Sequence, residues 1–152
     1  MSGRGGYRIG RTVAAAPDVV FGLFADAPGW SSWAKPLIGT SRWARRGTDD
    51  PGGVGAIRVT GRWPLLIREE ITDYQPPSRL SYRYVGRLIP VRDYHATVEF
   101  TENARGGTDL SWSASFVNLV PGPGVRWIIL STVRFVAWRL AREAVRHARS
   151  AR

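Results

Sequence analysis

Arg58 and Glu69 are the residues whose types and spacing first suggest a site. They flank the dipeptide Trp63-Pro64 symmetrically. If the chain turns back about that dipeptide, position 58 faces position 69, and opposite charges facing each other across an antiparallel pair can form an ion pair. A one-residue slip would hand Arg58 to Glu70 instead. Taken alone, the pair reads equally as a structural salt bridge on a wetted face. The two histidines carry less. His95 alternates out of phase with Tyr94 and Ala96, so it is expected on a solvated face. His147 falls near the end of a helical stretch, where histidine suits the negative end of the dipole. Neither has a Ser or Cys partner in a recognisable motif, and there is no G-x-S-x-G turn. Gly53-Val54-Gly55 precedes a strand pattern rather than a helix, which excludes a phosphate-cradling loop.

Composition narrows the chemistry further. The chain of 152 residues contains no cysteine, so it has neither disulfides nor thiolate chemistry. Two histidines without ligand spacing exclude a histidine-rich metal site, and no metal or other cofactor is expected. The formal net charge is +10, a balance that would suit nucleic acid or an anionic membrane. Against that, Lys35 is the one lysine among 22 basic residues, and the arginines are spread along the whole chain. The start, Met1 to Gly6, is polar and Gly-rich with no apolar segment of the signal-peptide kind. Trp127 to Trp138 is too short and too polar to span a bilayer. A cytoplasmic protein is expected.

These residues must be held by elements that the periodicity outlines. Tyr7 to Val13 alternates as a strand. Pro17-Asp18 opens a short helix carrying Val20, Phe21 and Phe24, which Asp26-Ala27-Pro28-Gly29 stops. A second short helix carries Trp30 and Trp33. Six strands then follow at residues 37–45, 54–61, 65–74, 80–85, 94–101 and 109–117, split by Gly and Pro turns. Leu80, Tyr82 and Tyr84 share a face; so do Tyr94, Ala96, Val98 and Phe100, and again Leu110, Trp112, Ala114 and Phe116. One face of the sheet is therefore buried and the other wet. From Val125 to about Ala148 the period changes to helical, with Ile129, Leu130, Val133, Val136, Ala137 and Leu140 on one side. Ile128 and Phe135 fall on the opposite, Arg-rich side, where exposed apolar residues suit a membrane surface or a protein partner. The fold class is α+β: about seven antiparallel strands in one curved sheet, gripping a long C-terminal helix, with two short helices after the first strand. A single domain over 7–149 is expected, with 1–6 a flexible N-terminus.

Several segments resemble the START-like (helix-grip) superfamily, and within it the polyketide cyclase/dehydrase-like SRPBCC group. They are "APDVVFGLFADAPGWSSW" from Ala16, "GGVGAIRVTG" from Gly52, "IREEITDYQPPSRLSYRY" from Ile67 and "GGTDLSWSASF" from Gly106. The resemblance implies a cavity between sheet and long helix. Trp33, Tyr82, Tyr84, Phe100, Trp112, Val133 and Ala137 would line it, and Arg58 with Glu69 would anchor the polar end of an apolar ligand. It implies a binder or carrier of a small hydrophobic molecule such as a lipid, polyketide or aromatic compound. The alternative is a cyclase or dehydratase using the same cavity, with Arg58, Glu69 or a buried Tyr moving the proton. A third reading, electrostatic attachment to RNA or an anionic membrane, rests on net charge and is opposed by the dispersal of the arginines; no sequence-specific nucleic-acid reader is visible.

Overall fold

Seven antiparallel strands form one sheet in the order β1-β7-β6-β5-β4-β3-β2. They are β1 (Gly3–Val13), β2 (Thr40–Arg45), β3 (Ile57–Arg62), β4 (Leu65–Gln75), β5 (Arg79–Tyr84), β6 (Val91–Glu102) and β7 (Thr108–Asn118). The helices are α1 (Pro17–Ala25), α2 (Trp30–Trp33) and α3 (Gly124–Ser150). The computed structural model describes residues 3–151. The α+β helix-grip arrangement expected from the sequence is the one observed.

Differences lie at the margins. Gly3–Gly6, expected to be flexible, belong to β1 and pair with Asn118–Ser115 of β7; Met1 and Ser2 lie outside the described residues. Glycine is required here by close approach, since a Cβ on Gly6 would meet the Ala114 carbonyl oxygen at 2.6 Å. The strand expected from Leu37 begins only at Thr40, because Ile38 N–H donates to the Ala34 carbonyl and prolongs the turn after α2. The strand expected from Val54 begins at Ile57, after a turn in which Gly55 takes φ 89°. In β6 a register shift between Arg92 and His95, with Asp93 at φ 54°, lets Val91 face the core as well as Tyr94, three residues later.

The core lies between the concave face of the sheet, α1, α2 and α3. Phe21 and Phe24 of α1 pack on Phe100 at ring-centroid distances of 5.3 and 5.8 Å. Leu130, Val133, Val136, Ala137 and Leu140 form the buried stripe of α3. Phe135, expected on the wet side, is half-buried because its ring packs on Trp138 at 5.9 Å. Leu140 is fully buried, so Leu140→Asp is expected to destabilise the fold by several kcal/mol through an unpaired buried charge. Phe135→Ser should cost about 1 kcal/mol. Urea unfolding of the two variants checks the order, and equal losses would overturn the assigned helical phase.

Candidate functional site

The hairpin of β3 and β4 turns symmetrically, and its register pairs Arg58 with Glu69. The slipped alternative is not adopted: Glu70 lies on the outer face, where it accepts from Arg45 at 2.7 Å and Arg83 at 2.6 Å. Arg58 instead points into the core and is 1% exposed. Its Nε donates to Glu69 Oε1 at 3.0 Å. Its guanidinium carbon lies 4.5 Å from the ring centroids of Trp30 and Tyr82 and 5.0 Å from that of Phe24. Ring faces attract a cation most strongly where water is excluded. Among the described residues, two buried side-chain donors have no acceptor among the protein atoms, Arg58 Nη2 and Trp33 Nε1.

Beside this pair stands a cluster of phenols that the sequence does not announce as a unit. Tyr7 of β1 and Tyr94 of β6 meet hydroxyl to hydroxyl at 2.6 Å, across the intervening strand β7. Tyr7 is opposite Ala114 in register, and that small residue leaves room for the two rings to meet. Tyr82 stacks on Tyr94 at 6.4 Å, and Trp112 Nε1 donates to Tyr82 Oη at 3.1 Å. Burial is the main force raising all three phenols above their usual range; Tyr94 and Glu69 add to it for Tyr7, Tyr7 and Glu69 for Tyr82, and Tyr82 and Glu69 for Tyr94. Arg58 pulls Tyr82 partly back. At neutral pH these groups are hydrogen-bond donors, not bases. Tyr94 could be placed from its alternation with Ala96 and Val98. The pairing with Tyr7 could not, because it depends on β1 lying beside β7.

The other anticipated residues divide. Phe100 and Trp112 are buried, and both pack on Phe24, Trp112 at 5.2 Å and nearly perpendicular. Trp33 is buried against Trp30 at 5.2 Å, and its carbonyl accepts from Arg139 Nε. Val133 and Ala137 lie buried on the inner side of α3. Tyr84 is half-buried and its hydroxyl accepts from the Leu88 and Ile89 backbone N–H groups, so it shapes the loop before β6. The rings pack against one another where an open apolar cavity was anticipated. Two concavities open elsewhere: one of about 250 Å³ bounded by Arg4, Phe116, Val120 and Arg126, and one of about 290 Å³ bounded by Phe21, Trp43, Asp50 and Tyr74. His95 is exposed, and His147 lies 3.2 Å from Glu143 on the surface of α3.

A helix-grip fold with a buried ion pair and donor cluster on its concave side defines the class. The family model for polyketide cyclase/dehydrase and lipid transport matches residues 8–149, and the chain belongs to that family. Solved structures share the fold at low identity. Norcoclaurine synthase of Thalictrum flavum, a point mutant in complex with a transition-state analogue, superposes with TM-score 0.71 at 13% identity, covering 97% of this chain and 98% of that one. Major latex-like protein 151 of Panax ginseng gives TM-score 0.74 at 16% identity, with coverage of 93% and 97%. An uncharacterised protein of Bacillus thuringiensis gives TM-score 0.74 at 15% identity, with coverage of 93% and 99%. No curated protein matches the chain.

The raised phenols generate a pH test. A group whose pKa is higher in the folded state contributes stability that is complete below its unfolded pKa, about 10 for Tyr, and is lost as pH rises above it. With Tyr7, Tyr82 and Tyr94 protonated in the fold and ionised in the open chain, stability should fall by about 4 kcal/mol per pH unit beyond that point. Urea unfolding across this range checks the slope, and Tyr94→Phe should remove about a third of it.

Proposed function

We propose that this protein binds a small apolar molecule carrying an acceptor oxygen, such as a carboxylate or phenolate, between the sheet and α3. The observation that carries the reading is the pair of buried donors without acceptors, Arg58 Nη2 and Trp33 Nε1, on the concave side. A side chain placed there for packing alone would need no charge, and an unmet buried donor is costly. A ligand oxygen would satisfy the guanidinium, while Tyr82, Phe100, Trp112, Val133 and Ala137 offer apolar contact to the rest. Uptake requires these side chains to yield, and Ala137 and Ala141, small residues on the buried side of α3, are where the helix gives least obstruction. The family description, which joins lipid transport to cyclase and dehydrase, supports a hydrophobic ligand.

A second reading is favoured by the phenol cluster beside Glu69. In a cyclase- or dehydratase-type enzyme the neutral phenols would polarise a carbonyl and Glu69 would move the proton. The raised phenol values suit donation and leave Glu69 as the one candidate base in the cluster. The carrier reading needs no such step.

Native mass spectrometry of the freshly purified protein should show a co-purified small molecule. In titrations, a fatty acid should bind stoichiometrically and change tryptophan fluorescence. The double variant Arg58→Met with Glu69→Gln removes the buried charge pair together. It should weaken carboxylate ligands about ten- to a hundredfold, the worth of a charge-assisted hydrogen bond, and spare neutral analogues of the same shape. Equal loss for both would reduce the pair to a structural role, and absence of any uptake would overturn the ligand-binding reading.

A further inference from the structure

Helix α3 is apolar on two sides. One side is the buried stripe. The other, turned away from the sheet, shows Trp127 at 53% exposure and Ile128 at 69%, followed by Trp138. At 100° per residue, positions 127, 131, 134, 138 and 142 fall within one arc, and Trp127 to Trp138 spans about 16 Å. The chain enters the helix through a loop in which Leu119 and Val120 are also exposed. Arg134 and Arg142 share the outward side, and the Arg142 guanidinium lies 5.1 Å from the Trp138 ring centroid. Between Asp109 and Glu143 the sequence contains no acidic residue. Trp127, Ile128 and Trp138 thus stand exposed among arginines, with Ser131 on the same arc and no acidic residue on the helix before Glu143.

These features select among occupants. A second copy of the chain packed through the same surface would set arginine against arginine. A nucleic acid would neutralise the arginines and leave Trp127 and Ile128 in water. An anionic phospholipid bilayer meets both demands: its interface accepts indole and aliphatic groups, and its phosphates accept guanidinium. We propose that the outward side of α3 and its entry loop dock on anionic phospholipid membranes, with Trp127 and Ile128 entering the headgroup region and Arg134 and Arg142 facing lipid phosphates. This surface lies on the far side of α3 from Arg58 and stands independently of the ligand reading. Among the described residues no helix is long and apolar enough to cross a membrane, so the attachment is peripheral.

Co-sedimentation of the full chain with vesicles tests this. Binding is expected to vesicles of phosphatidylcholine mixed with phosphatidylglycerol, to be much weaker with phosphatidylcholine alone, and to fall as salt rises. Trp127→Ser and Ile128→Ser should each weaken it roughly tenfold, and Arg134→Gln and Arg142→Gln each about fivefold. All four positions are exposed, so thermal unfolding should be nearly unchanged, which separates lost docking from lost fold. The proposal is overturned by no binding to the anionic vesicles, by binding indifferent to Trp127→Ser and Ile128→Ser, or by concentration-dependent self-association that Ile128→Ser abolishes. Binding to RNA in preference to vesicles, again indifferent to Trp127→Ser, would overturn it in favour of a nucleic-acid surface.

Discussion

A guanidinium removed from water must be compensated on every side, and that requirement at Arg58 organises the interior of this protein. The ion pair with Glu69 supplies one partner, but an ion pair in a low-dielectric site seldom repays the desolvation of both charges by itself. Part of the remainder comes from three ring faces, contributed by α1, α2 and β5, while Nη2 is left without an acceptor among the protein atoms. This explains why the short helical segment follows the first strand. Phe24 and Trp30 are needed over the end of Arg58, and the bend at Asp26–Gly29 allows both to reach it. The Trp30 indole N–H donates to the Phe24 carbonyl, which ties the two helices together at the place where their rings must meet.

The two faces of the β3–β4 hairpin show how alternation separates surface charge from buried charge. Glu69 and Glu70 are neighbours in sequence, yet they lie on opposite sides of the sheet. Glu70 joins two exposed arginines in a surface network worth little to stability. Glu69 is 13% exposed and is held by one buried arginine. A change of register by one residue would give Arg58 to Glu70, but it would also turn the buried Ile71 outward and the exposed Arg68 inward. The register is therefore fixed by the alternation of β4 as well as by the turn.

Much of this architecture was legible in the chain itself. The symmetric hairpin, the alternating rows of β5, β6 and β7 and the helical stripe of α3 follow from local periodicity, and each was placed with small errors at the ends. What could not be read were contacts between elements far apart in sequence. The meeting of Tyr7 with Tyr94 depends on strand order and on a small residue at position 114. The three rings around Arg58 come from α1, α2 and β5, so no spacing rule connects them. The interior was anticipated as an open cavity because a row of large aromatics looks the same in sequence whether it lines a space or fills one. The direction of Tyr84 was obscured because its hydroxyl is claimed by two backbone groups of the next loop.

The strand order carries a consequence for synthesis. β1 is an edge strand whose one partner is β7, roughly a hundred residues later, and the sheet is otherwise built from neighbours in sequence. At ribosomal rates the first strand waits roughly 5–20 s before its partner emerges. During that interval its backbone groups are unpaired, and the segment must avoid other edges. Its composition serves that purpose. Gly3, Gly5, Gly6 and Gly10 weaken premature pairing, and Arg4, Arg8 and Arg11 repel a second nascent chain. The glycines that permit close approach to β7 in the finished sheet thus also keep the first strand unattached until β7 has been made.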